Sequence, residues 1–149
     1  MTRRERHFWI EVVLFVSILL SITIAVVASE MQPLNRSDIK LNASDLRSFA
    51  SAGHQLIEQY KQGQLTETFF RSQIELINEK VSTTAGSLRD TEAEPNAEKD
   101  RRDASDLAGQ LEGVIGNLDE NSPDIDSADR QISDLIARSK QLEDRLKDE

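Results

Sequence analysis

Apolar residues are distributed in two ways along this chain: first one unbroken run, then four stretches in which they recur every three or four positions. The run is Val12 to Ala28, VVLFVSILLSITIAVVA. A hydrocarbon core roughly 30 Å thick needs about 20 mostly apolar residues to cross as a helix. Extension back through Trp9 and Ile10 gives that length, so residues 9–29 are expected to form a transmembrane signal anchor. Residues 1–8 form a basic N-terminus with Arg3, Arg4 and Arg6, which the positive-inside bias holds on the cytoplasmic side. The C-terminal part is then extracytoplasmic, periplasmic or extracellular. A cleavable signal peptide competes with the anchor, because Val26-Val27-Ala28 before Ser29 resembles a processing site. The length of the run and Trp9 as an interfacial anchor favour retention; cleavage would make the domain a secreted one.

Residues 30–42 (EMQPLNRSDIKLN) carry Pro33 and few helix signals, and read as a linker to a domain over 43–149. The first helical pattern starts near Ser44 and stops at Gly63, with Leu46, Phe49, Ala50, Gly53, Leu56, Ile57 and Tyr60 on one face. The second runs from about Thr66 to Leu88 along Phe70, Ile74, Ile77, Val81, Thr84 and Leu88. Phe69 and Leu76 widen its face enough for two neighbours. The third is expected from Asn96, as cap, to about Leu118, burying Ala104, Leu107, Ala108, Leu111, Val114, Ile115 and Leu118. The fourth runs from about Asp124 to Lys147 through Ile125, Ala128, Ile132, Leu135, Ser139, Leu142 and Leu146, with Ile136 alongside. No period-2 alternation lasts long enough for a strand outside the first run. The fold class is therefore all-α: an N-terminal single transmembrane helix followed by an antiparallel four-helix bundle with coiled-coil-like packing. Two hairpins that complete a bundle only by pairing with a second chain are the alternative.

Charge separates the two regions further. The chain has 18 Lys+Arg and 27 Asp+Glu. Residues 1–30 hold three of each sign (Arg3, Arg4, Arg6; Glu5, Glu11, Glu30), which leaves 15 basic and 24 acidic residues in the remainder. The whole net charge of −9 thus belongs to the later part. Such a surface repels phosphates, which makes nucleic acid a poor partner. There are no cysteines, which excludes disulfides, thiolate catalysis and zinc–thiolate sites; the domain must be held by core packing.

Candidate chemistry is sparse. The two histidines are His7 and His54; His54 lies one turn from Glu58, yet a metal needs three or four convergent ligands, and a solvated histidine is the simpler expectation. No phosphate loop, HExxH or GxSxG occurs. Asp119, Glu120, Asp124, Asp126 and Asp129 form an acidic patch that offers oxygen ligands for a cation without the order of an EF-hand; several fit better as helix N-terminal charges. Gly109, Gly113 and Gly116 line one stripe of the third helix, roughly opposite its apolar face, where another backbone can approach closely. Ser17, Ser21, Ala25 and Ser29 form a small-residue stripe in the membrane run, the spacing at which helices pair in lipid. Asn35-Arg36-Ser37 and Asn42-Ala43-Ser44 are glycosylation acceptors if the host modifies them.

The order of elements resembles the extracytoplasmic sensor bundles of chemoreceptors and histidine kinases, without their second membrane segment or cytoplasmic signalling part; in size and topology the chain is also similar to phage inner-membrane spanins. The expectation is a non-enzymatic, membrane-anchored interaction or scaffold protein that needs no cofactor and binds a protein partner or a second copy of itself. The alternative is a sensor-like bundle that takes a cation or small ligand between its helices.

Overall fold

The computed structural model describes residues 33–118 and 124–147, and they form four α-helices packed as a bundle: α1 Arg36–Lys61, α2 Glu67–Asp90, α3 Glu98–Asn117 and α4 Ile125–Arg145. The expected transmembrane segment, its cleavage site and the turn at 119–123 lie outside the described residues. Among the described residues, no helix is long and apolar enough to cross a membrane.

The main departure from the sequence reading is the start of α1. The chain read as linker is helical from Arg36, two turns before Ser44. The cause is a capping box at Asn35. Its side-chain oxygen accepts from the Asp38 N–H at 3.0 Å, and the Asp38 carboxylate accepts from the Asn35 N–H at 3.1 Å. Two of the otherwise unpaired donors of the first turn are thereby satisfied. Ile39 and Ala43, both fully buried, extend the seam of Leu46, Ala50, Gly53 and Ile57 backwards with the same 3–4 spacing. Leu34 fixes the approach: its N–H donates to Glu92 O at 2.8 Å, and its carbonyl accepts from Glu94 N–H at 3.0 Å. Replacing Asn35 by alanine is expected to lower stability by about 1 kcal/mol, while Asn35→Asp changes it little. Urea midpoints of the two variants check this; equal losses would show that the cap oxygen is irrelevant.

The other boundaries agree more closely with the expected chemistry. α1 ends at Lys61, and Gly63 takes a left-handed φ of +70° that side chains resist. Thr66 caps α2 by accepting from the Phe69 N–H at 3.3 Å, and Asp124 caps α4 by accepting from the Ser127 N–H at 2.9 Å. α3 differs: Asn96 sits in a turn, and the N-cap is Ala97, which makes no side-chain cap bond. Acidic Glu98 and Asp100 in its first turn complement the helix dipole instead.

Every position expected in the α3 seam is buried. In α2 the seam passes through Ala85 rather than Thr84, since Ala85 continues the spacing from Val81 to Leu88. Phe69 and Leu76 do not serve a second neighbour; each is 49% exposed. α2 packs against α1 and α3 only and makes no contact with α4, so its single seam serves both neighbours. Tyr60 stacks on Phe70 with ring centroids 4.5 Å apart, joining the end of α1 to the start of α2. Sequence neighbours run in opposite directions. Arg36 reaches Asp100 and Lys61 reaches Asp126, so the start of α1 lies beside the start of α3 and its end beside the start of α4.

α1 also crosses the bundle diagonal to meet α3, and Gly53 makes that possible. A Cβ there would stand 3.0 Å from Ile115 Cδ1 and 3.7 Å from Ile132 Cδ1. The missing methyl lets α1, α3 and α4 converge at one point.

Candidate functional site

The stripe of α3 glycines faces open space. A Cβ at Gly109, Gly113 or Gly116 would meet nothing within 4 Å. Gly109 and Gly113 form part of a cleft of about 480 Å³ between α3 and α4, with Val114 and Leu135 in its floor and Arg130 and Asp134 on its α4 side. Gly116 lies outside the cleft lining. Further along the same pair of helices a smaller cleft of about 230 Å³ lies among Asp103, Leu107, Arg138, Leu142 and Arg145. The Arg138 guanidinium donates to Gln110 Oε1 at 2.7 Å, a cross-link from α4 to α3 between the two clefts.

Three members of the acidic patch are described, and each has a partner within the fold. Asp124 is the α4 cap. Asp126 and Asp129 hold the Lys61 ammonium at 3.0 and 3.4 Å, across the junction of α1 and α4. The hydrogen bond from Lys61 lowers the Asp126 pKa, and the same contact raises that of Lys61. Asp119 and Glu120 lie outside the described residues, as do Ser17, Ser21, Ala25 and Ser29. His54 is not the solvated histidine expected: its Nδ1 stands 2.7 Å from Asp129 Oδ1, bridging α1 to α4, and Glu58 is not its partner. Among the described residues, no three His, Asp or Glu side chains converge as a metal ion would require.

The largest constellation of charge is one that spacing alone does not reveal. Asp100 and Glu143 are buried, 5% and 7% exposed, at the end of the bundle where α1 and α3 begin and α4 finishes. Asp100 takes Arg145 at 2.9 Å and Arg36 at 3.4 Å. Glu143 takes Lys147 at 2.9 Å and Arg47 at 2.8 Å, the latter an ion pair outside hydrogen-bond alignment. Arg145 also reaches Asp103, whose other partner is Lys99 at 3.1 Å. Burial alone would raise the Asp103 pKa, but hydrogen bonds from Arg145 and Lys99 outweigh it and bring the pKa below the ordinary value. A partial signal does exist in the sequence: Asp100 precedes Ala104 by four and Glu143 comes four after Ser139, both in register with buried seams.

Nearby, Glu98 accepts from Arg101 and Arg102, each at 2.9 Å, and these bonds lower its pKa to about 2. Arg101 goes on to donate to Leu88 O at 2.6 Å, so the cluster ties the start of α3 to the end of α2. A carboxylate with a depressed folded pKa adds stability that is present above its unfolded pKa and lost as pH falls through the folded one. The melting temperature is therefore expected to fall between about pH 5 and pH 2. Glu98→Gln should be less stable than wild type at pH 6, with the difference vanishing near pH 2; a constant difference across that range would disprove the assignment.

The sites among the described residues are salt-bridged surfaces and clefts between helices. No protein-family model, no curated protein and no solved structure matches the chain.

Proposed function

We propose that this chain is a membrane-anchored, extracytoplasmic interaction module without catalytic activity. Residues 9–29 hold it in the membrane, and the helical bundle docks on an envelope protein or on a second copy of the chain. The observation that carries the reading is the contrast between Val12–Ala28 and the four helices of the bundle. A run of that length without a charge is costly in water and at home in a bilayer, whereas the four helices bury their own apolar seams against one another. Support for docking comes from the surface. Gly109 and Gly113 open the cleft along α3 and α4, and Phe69 and Leu76 are exposed apolar side chains on α2.

Fractionation of cells that express the full chain tests the address. The proposal requires the chain in the membrane pellet after carbonate extraction, its C-terminal part open to protease added from the extracytoplasmic side. An untruncated start at Met1 or Thr2 marks an anchor and a start at Ser29 a released domain; recovery as a cytoplasmic soluble protein would refute both. Cross-linking in membranes tests docking. Gly113→Trp fills open space, so it should preserve the fold and reduce the cross-linked product; an unchanged product would remove the glycine-lined face from the reading. The patch at Asp126 and Asp129 favours the alternative cation-binding reading less, because Lys61 already supplies its positive charge.

A further inference from the structure

The four buried seams are not equally apolar along their length, and α4 changes character halfway. From Ile125 to Ile136 it is held by Ala128, Ile132 and Leu135, all buried, with Ile125 and Ile136 packed against the core. From residue 139 onward the seam reads Ser139, Leu142, Glu143 and Leu146, so two of its four buried positions are polar. The cross-helix partners there are ionic. Glu143 meets Arg47 of α1, while Arg145 meets Asp100 and Asp103 of α3. In each case the cation stands partly in water, with Arg47 34% and Arg145 43% exposed. Clefts lie between α3 and α4 along both halves, the one here among Asp103, Leu107, Leu142 and Arg145 being the smaller, so the half beyond Ser139 is set apart by its polar seam and ionic partners. Ser139 at a core position marks the boundary.

We propose that the last two turns of α4 are a strap fastened by charge, which opens locally while the rest of the bundle stays folded. Apolar burial is insensitive to screening, but ion pairs with one half-exposed partner are within reach of salt, as the screening length falls from about 10 Å at 0.1 M to about 3 Å at 1 M. Sub-global opening selects segments with few apolar contacts and accessible backbone bonds. The Leu146 N–H bond to Leu142 O at 3.1 Å is one such reporter. Opening the strap bares Leu107 and uncovers Asp100 and Asp103 on α3, together with Arg47 on α1. The fold therefore holds a surface of mixed charge and apolar character that ionic conditions expose.

Hydrogen exchange of the full chain in a non-ionic detergent tests this at fixed pH. Between about 20 mM and 1 M sodium chloride, amides of 142–146 should exchange about fivefold faster, with those of 128–136 unchanged. In Arg47→Met combined with Glu143→Leu, an apolar pair replaces an ionic one, so exchange of the strap should slow and its salt response shrink. A strap that exchanges equally fast at both salt concentrations is merely a fraying helix end, and an equal acceleration in both halves of α4 means global loosening; either result overturns the proposal. The wild-type ratio decides the matter even where the double variant fails to fold, because it needs no substitution.

Discussion

Ile115→Ala should destabilise the bundle by about 3 kcal/mol, the cost expected when a fully buried branched side chain is cut back and its cavity only partly collapses. Ile115 is 0% exposed, and its Cδ1 lies over Gly53, where α1 and α4 both approach α3. The loss would be a large share of the roughly 5–15 kcal/mol by which such domains are stable. Urea unfolding should show a lower midpoint with an unchanged slope. The same contact makes a sharper test. In the wild-type background, Gly53→Ala gains about 1 kcal/mol of helix propensity but must displace Ile115 Cδ1 from 3.0 Å, so its net effect should be small. In the Ile115→Ala background that obstacle is gone and Gly53→Ala should stabilise by about 1 kcal/mol. The two substitutions are in contact and should not be additive; strict additivity would mean that Gly53 is present for some reason other than close approach.

That junction also shows how far the residues alone can be read. Spacing places Gly53 on the apolar face of α1, but not what it admits, because the two δ-carbons come from helices more than sixty residues further on. The apolar positions of the α3 and α4 seams are legible, since their Leu, Ile, Val and Ala residues recur at helical period without a competing pattern. The start of α1 is obscured by Pro33 and by the polar look of Asn35 to Asn42, although Asn35 and Asp38 spell the capping box and Ile39 and Ala43 continue the seam. Composition outweighs periodicity there. Phe69 and Leu76 mislead for a different reason: apolar residues are assigned to cores by default, and only the arrangement of neighbours shows that α2 has no third helix to cover them. Asp100 and Glu143 are the hardest case. A charged residue at a seam position looks like an interruption until the opposing cations are known, and Arg36, Arg47 and Arg145 come from distant segments. Gly109 and Gly113 are exposed and border α4, Gly116 is half-exposed, and Val12–Ala28 lies outside the described residues.

Arg145→Ala should cost more than Asp100→Ala, about 2–3 kcal/mol against about 1–2 kcal/mol, although each removes one half of the same pair. The asymmetry comes from burial. When Arg145 is removed, the Asp100 carboxylate, with only 7% of its side chain exposed, keeps Arg36 at 3.4 Å as its remaining described cation. Burying a poorly paired charge is expensive. When Asp100 is removed, Arg145 is 43% exposed and still has Asp103 as a partner. The cost that remains is the loss of a first-turn acid on α3, a helix whose N-cap Ala97 offers no side-chain oxygen. Their combination should therefore be less damaging than the sum, since the second substitution removes the group that the first left stranded. Thermal unfolding of the two single variants and the double variant at pH 7 and low salt provides the comparison. A larger loss for Asp100→Ala, or a double variant at the full sum, would mean that the buried carboxylate is not what makes this end of the bundle depend on its arginines.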